Sequence, residues 1–194
     1  MNVDKRKIAA FFDECAAKWD SELIRNDETI DIILDKGGIK KGVRVLDVAS
    51  GTGVLFPDYI KRGVAHITGI DISANMLEIA KEKCPSAVLI CGDAEIFSFT
   101  EKYDCIMIYN AFPHFADPDL LFKNLSAALA ENGRLTVAHG MSMKDIEKCH
   151  AGAAKSVSLP LPEKEKLAEI MSPYIDVDLL ISDSRMYMVS GVKK

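Results

Sequence analysis

Between residues 43 and 139 two hydrophobic periods take turns along the chain. Short apolar runs at 43–48 (VRVLDV), 65–70 (AHITGI), 87–91 (AVLIC), 104–109 (DCIMIY) and 134–139 (RLTVAH) read as strands. The segments 54–62, 73–83 and 117–131 carry apolar residues at helical spacing. Strand and helix in strict alternation imply a parallel sheet joined by right-handed crossovers. The C-terminal end breaks this rule. YIDVDLLIS and RMYMVSGV are two strand patterns with only Asp183 and Ser184 clearly between them. A parallel pair needs a connection of about a dozen residues or more, so these two must pair antiparallel. The expectation is an α/β fold: seven strands, mostly parallel, one antiparallel, with helices on both faces. At 194 residues and 48% hydrophobic content, one domain over 1–194 can bury a core.

The flanks add helices. Ile8, Phe11, Phe12, Cys15 and Trp19 recur at helical spacing within 4–19, and a second helix is expected over 21–36, stopped by Gly37 and Gly38. Ser73 is placed to cap the helix after it, and Asp117-Pro118 to open another, with Gly133 following its end. Ser142 with Asp145 forms a capping box for a helix over 143–150. LPLP at 159–162 interrupts the chain before a last helix near 163–171.

Net charge is -5. The basic stretches at 4–7, 40–41 and 61–62 are short and scattered, so they read as solvated helix ends and no nucleic-acid partner is expected. Asp13 and Glu14 interrupt the first apolar segment, so no export signal forms. No apolar run approaches the ~18 residues needed to cross a bilayer. The five cysteines show no C-x-x-C spacing, and Cys91 and Cys105 lie in apolar runs and read as buried hydrophobes. A reduced, cytoplasmic protein without membrane insertion is expected.

The first strand runs into a glycine turn, VRVLDVASGTGVL. A dinucleotide fingerprint needs a third glycine, and Phe56 stands in its place; no Gly-Lys-Ser/Thr follows for a P-loop. A nucleoside without phosphate fits better. S-adenosylmethionine needs a tight backbone turn against its amino-acid tail and a carboxylate for its ribose diol. Asp47, Asp71 and Asp93 end three consecutive strands, where ligands meet an open α/β sheet. Asp71 can accept two ribose hydroxyls, and Asp93 the adenine amino group.

With these residues in hand the chain resembles the class I S-adenosylmethionine-dependent methyltransferases, over nearly its whole length. VLDVASGTG resembles the family's glycine motif, ITGIDISANMLEIAKEK its ribose-binding acid and following helix, and LICGDAEIFSF its adenine-binding acid. FFDECAAKWD and NAFPHFADPDLLFKNLSAALAENGRLTVAHG resemble the small-molecule branch related to ubiquinone and menaquinone methyltransferases. The resemblance implies a Rossmann-like sheet and a cofactor site of Asp47, Ala49, Gly51, Gly53, Asp71, Ile72, Met76, Asp93, Ala94 and Asn110. S-adenosylmethionine is the cofactor and S-adenosylhomocysteine the product. Ala49 replaces the motif's usual first glycine, which requires negative φ there.

The loop after the fourth strand, YNAFPHF, lacks the Pro-Pro pair of amine methylation in nucleic acids or proteins. A small-molecule acceptor is therefore expected, with an O, S, N or C nucleophile. Residues 1–38 form a helical lid over the core of 39–194, and Phe11, Phe12, Trp19 and Tyr109 are candidate acceptor contacts. His114, His139 and His150 are candidate bases or acceptor-orienting groups, near neutral pH for an ordinary imidazole. In a second form the three would hold a divalent metal. Two rival readings are a module that binds S-adenosylmethionine without transferring methyl, and a nicotinamide oxidoreductase. The assembly is a monomer or homodimer.

Overall fold

A computed structural model describes residues 4–150 and 153–194. It contains one seven-stranded sheet in the order β3-β2-β1-β4-β5-β7-β6. The strands are β1 (Arg44–Val48), β2 (His66–Asp71), β3 (Val88–Cys91), β4 (Tyr103–Tyr109), β5 (Leu129–His139), β6 (Ile175–Ser182) and β7 (Tyr187–Lys193). Those from β1 to β5 pair in parallel, and β7 runs antiparallel to both β5 and β6. The short C-terminal connection thus reverses one strand, as the chain length between the two patterns requires.

Among the described residues seven α-helices surround the sheet: α1 (Lys5–Glu22), α2 (Asp27–Lys36), α3 (Phe56–Lys61), α4 (Ala74–Lys83), α5 (Pro118–Ala128), α6 (Met143–His150) and α7 (Lys164–Met171). Alternate residues of β4 face opposite sides. Cys105 and Met107 pack with Ile30, Ile33 and Leu34 of α2 and Tyr59 of α3. Ile106 and Ile108 pack with Leu121, Phe122 and Leu125 of α5 and Leu167 of α7. Each such side chain contributes about 1.5–3 kcal/mol by leaving water. No helix among the described residues is long and apolar enough to cross a membrane.

Several caps follow the sequence. Ser73 accepts from the Met76 amide, Asp117 from the Leu120 amide, and Ser142 with Asp145 closes the capping box of α6. Several boundaries differ, including α5, which ends at Ala128 rather than 131. The second helix starts at Asp27 rather than 21, because Leu23 is extended and Asn26 caps α2 by accepting from the Thr29 amide. The first helix accordingly continues to Glu22. The fifth strand begins at Leu129 rather than 134, because Leu129 pairs with Tyr103 and the register then jumps to Cys105 opposite Arg134. Gly133 therefore serves a bulge and not a helix end. A Cβ there would meet the carbonyl oxygens of Ala130 at 2.9 Å and Tyr103 at 3.0 Å. Cys105 is buried as expected, but Cys91 is exposed, because β3 is an edge strand with a sparsely covered face.

Candidate active site

The glycine turn leaves the carboxyl end of β1 through three residues at positive φ: Ala49 at 54°, Gly51 at 53° and Gly53 at 70°. The expectation of negative φ at Ala49 is corrected. The chain must reverse direction as soon as β1 ends, and the Ser50 amide is held by the Ile70 carbonyl at 3.2 Å. Alanine in this region stores about 1–2 kcal/mol of strain, beside the site that uses it. A Cβ on Gly51 would meet nothing within 4 Å, so this backbone faces open space where a ligand can approach closely. Gly53 has a different task. A Cβ there would lie 2.7 Å from the Phe56 ring, so this glycine lets α3 pack against the turn.

Asp71, at the end of β2, braces the turn. Its two oxygens accept from the Gly51 amide at 2.8 Å and the Ser73 amide at 2.8 Å. Burial pushes this carboxyl above its ordinary range, against those two bonds. Each oxygen retains lone-pair capacity for a hydroxyl donor. Asp47 is more deeply enclosed. Burial pushes it up to about 7; the Tyr59 hydroxyl opposes that rise and the Asp71 charge adds to it. Asp93, past β3, accepts from the Glu95 amide at 3.0 Å and the Lys5 ammonium at 3.3 Å.

One cavity joins these elements. Asp47, Ala49, Gly51, Asp71, Ile72, Met76, Asp93, Ala94 and Asn110 all line it, from the tips of β1, β2, β3 and β4. Its other wall is apolar and aromatic: Ile8, Phe12 and Trp19 of α1 face Tyr109, His114 and Phe115. Asn110, at φ 55°, accepts from the Gly140 amide at 3.0 Å and so fixes the tip of β4 against β5. Tyr109 is largely enclosed beside it, and burial pushes its hydroxyl up to about 12.

α1 lies across this cavity and is held by side chains. Asp13 accepts from the Ser73 hydroxyl at 2.6 Å and the Asn75 amide at 3.1 Å. Asp20 accepts from the Thr52 hydroxyl at 2.6 Å and pairs with Lys83 at 2.6 Å. Lys5 pairs with Glu95 at 2.7 Å and Asp93 at 3.3 Å. The basic stretch at 4–7 is thus more than a solvated helix end, since Lys5 enters the site. The segment after α1 is anchored by Arg25, whose guanidinium spans both Asp58 oxygens and donates to the Val54 carbonyl at 2.8 Å.

Some expected site residues lie elsewhere. Gly53 does not line the cavity, because Phe56 fills the space beside it. Phe11 is also outside; its ring packs edge-on against Phe12 at 5.2 Å, on a neighbouring face of α1. His139 is buried at the end of β5, in register with Tyr187 and ring to ring with it at 6.1 Å. It is not among the residues that line the cavity. The side chain of His150 falls outside those described. Among the described residues no group of three His, Cys, Asp or Glu side chains is gathered for a metal ion.

His114 lines the cavity. It sits in a short 3-10 turn, Phe112–His114, with its ring edge-on to Phe12 at 4.9 Å. Its Nδ1 lies 2.9 Å from the Val157 carbonyl. A carbonyl can only accept, so Nδ1 donates in that bond, and the Ser158 hydroxyl lies 3.3 Å from the same nitrogen.

The family profile described as a methyltransferase domain matches residues 45–133, from β1 into β5. A demethylmenaquinone methyltransferase of Renibacterium salmoninarum is 30% identical over 145 residues, 71% of this chain and 61% of that one. The chain belongs to the class I S-adenosylmethionine-dependent methyltransferases. Two solved structures extend the likeness in fold to nearly the whole length of this chain. One is a putative methyltransferase in complex with the Trm112 activator of Haloferax volcanii, with TM-score 0.79 at 16% identity, covering 94% of this chain and 97% of that one. The other is magnesium protoporphyrin IX methyltransferase of Synechocystis PCC 6803 with bound S-adenosylhomocysteine. Its TM-score is 0.73 at 15% identity, covering 98% of this chain and all of that one. At such identities the structures speak for the fold alone. The chain spans about three fifths of the curated relative it matches, 61% of its length.

Proposed function

We propose that this methyltransferase binds S-adenosylmethionine at the tips of β1, β2 and β3 and methylates a small acceptor enclosed by α1. The observation that carries this reading is one cavity with two kinds of wall. Carboxylates and a glycine turn line one end, and Phe12, Trp19, Tyr109 and His114 line the other. The residues fit the cofactor: Gly51 leaves its backbone open to close approach, and Asp71 and Asp93 present acceptors to hydroxyl and amino donors. Ile72 and Met76 supply apolar contact for the nucleoside. When bound, the cofactor supplies an electrophilic sulfonium methyl group.

The chain's own contribution is positioning, exclusion of water and a base. α1 closes the cavity from above, so residues 1–38 act as a lid on the core of 39–194. It is held by ion pairs and hydrogen bonds at partly exposed positions rather than by covalent links, which suits a segment that must open for exchange. His114 serves as the base or orients the acceptor, its ring held by the Val157 carbonyl. The aromatic walls suit a small apolar acceptor and leave its nucleophilic atom open among O, S, N and C. We place the protein in the cytoplasm, without nucleic acid.

Methyl-labelled S-adenosylmethionine, incubated with the protein and a metabolite extract, tests this. Label is expected in a small organic product, and His114→Gln is expected to slow its formation at least about tenfold, or ~1.4 kcal/mol in the barrier. Saturable S-adenosylhomocysteine binding with no label in any small molecule would favour a non-catalytic binding module instead.

A further inference from the structure

Glu95 joins three segments that the sequence keeps far apart. It lies two residues beyond Asp93, and its side chain is only 6% exposed. One oxygen, Oε1, takes three donors: the Lys5 ammonium at 2.7 Å, the Ala116 amide at 2.7 Å and the Asp117 amide at 3.2 Å. Lys5 belongs to the lid. Ala116 and Asp117 directly follow the loop that carries His114 and Phe115, the acceptor wall. The Lys5 ammonium also lies 5.5 Å from the centre of the Phe115 ring. Behind this junction, the Asn124 side-chain amide holds the Ala94 and Phe97 carbonyls at 2.8 and 2.7 Å, so the loop bearing Glu95 is fixed to α5.

We propose that Glu95 is a positioning residue that makes lid closure and assembly of the acceptor wall a single event. The physical reason is the charge. A carboxylate this enclosed is tolerated because a cation and two amides share it. When α1 lifts, Lys5 leaves and the two amides alone face an uncompensated buried charge. The carboxylate then turns toward water and releases Ala116 and Asp117, and the His114 loop loosens. When α1 closes, the same oxygen recaptures all three donors. Lys5 also touches Asp93, so the nucleoside end of the cleft sits on the same junction. The catalytic part of this inference rests on the reading of α1 as a lid over a methyl-transfer site.

Two substitutions in the full chain separate the parts of the junction. Lys5→Met keeps the apolar stem and removes the charge. Glu95→Gln keeps an oxygen for both amides and removes the need for a cation. Hydrogen exchange of the ligand-free protein reads both. Lys5→Met is expected to speed exchange at least about fivefold in residues 111–117 as well as in the first turns of α1, although the Lys5 ammonium, itself a donor, cannot bond an amide N–H of 111–117. Glu95→Gln is expected to speed exchange in α1 while 111–117 keep wild-type protection, and Lys5→Arg to restore both segments. Faster exchange confined to 5–22 in Lys5→Met, or none at all, overturns the coupling. This experiment needs no ligand, so it stands apart from the search for methyl transfer. Once an acceptor is known, Lys5→Met is expected to raise its KM at least fivefold with a smaller change in kcat.

Discussion

Asp71→Ala is expected to weaken S-adenosylhomocysteine binding by roughly 10- to 150-fold, or about 1.5–3 kcal/mol, the range for a lost charge-assisted hydrogen bond. The effect has two sources on one side chain. Asp71 would accept the ribose hydroxyls, and it already accepts from the Gly51 and Ser73 amides, which hold the turn in shape. Alanine leaves both amides without that acceptor. Asp71→Asn retains one oxygen and is expected to fall between wild type and alanine. Calorimetric titration at a single pH measures all three. An unchanged dissociation constant in Asp71→Ala would remove this residue from the cofactor site.

Asp47 carries the second large effect, on stability. Its carboxyl is pushed from an ordinary 3.8 to about 7 by burial. Between these values the folded protein holds a proton that the unfolded chain has lost, so stability falls as pH rises. The contribution is fully present below pH 4, declines up to about pH 7 and is flat above. The whole change corresponds to roughly 4 kcal/mol. Carboxylates held low act with the opposite sign. Asp178 beside Arg134 and Asp183 beneath the Arg185 and Met186 amides stabilise above the ordinary carboxylate range and lose that contribution in acid, below the window of Asp47. Asp71 is shifted in the same direction as Asp47, so the comparison is made against Asp47→Asn, which keeps Asp71. Urea unfolding at pH 5 and pH 7.5 is expected to show wild type losing about 2–3 kcal/mol relative to the variant. Parallel curves for the two proteins would mean that Asp47 ionises normally.

The features legible in the sequence are those whose placement follows from a position along one strand or helix. Asp47, Asp71 and Asp93 lie at or just past strand ends, and the sheet brings strand ends together whatever the details. Ser73, Asp117 and Ser142 cap helices because capping depends on local spacing alone. The reversed β7 followed from the length of one connection. Ala49 was misjudged, because its φ is set by the Ser50–Ile70 bond to another strand rather than by its own preference. His139 lies outside the cavity lining and in register with Tyr187 of β7, a pairing between distant segments that local spacing does not show. Lys5 read as a solvated charge because its partners, Glu95 and Asp93, lie about ninety residues away. A signal was present all the same. Lys5 shares a helical stripe with Ile8, Phe12 and Trp19, at a spacing near 3.5 residues, and that stripe is the one facing the cavity.

The central claim is that the cleft under α1 receives S-adenosylmethionine. Trp19 is the only tryptophan in the chain and lines that cleft, so its fluorescence reports on the site directly. Titration of the protein with S-adenosylhomocysteine, and separately with NAD, is the most direct test. A saturable change in Trp19 emission with one equivalent of S-adenosylhomocysteine, and none with NAD, is the predicted result. No saturable response to S-adenosylhomocysteine by fluorescence or calorimetry, or an equal response to NAD, would contradict it.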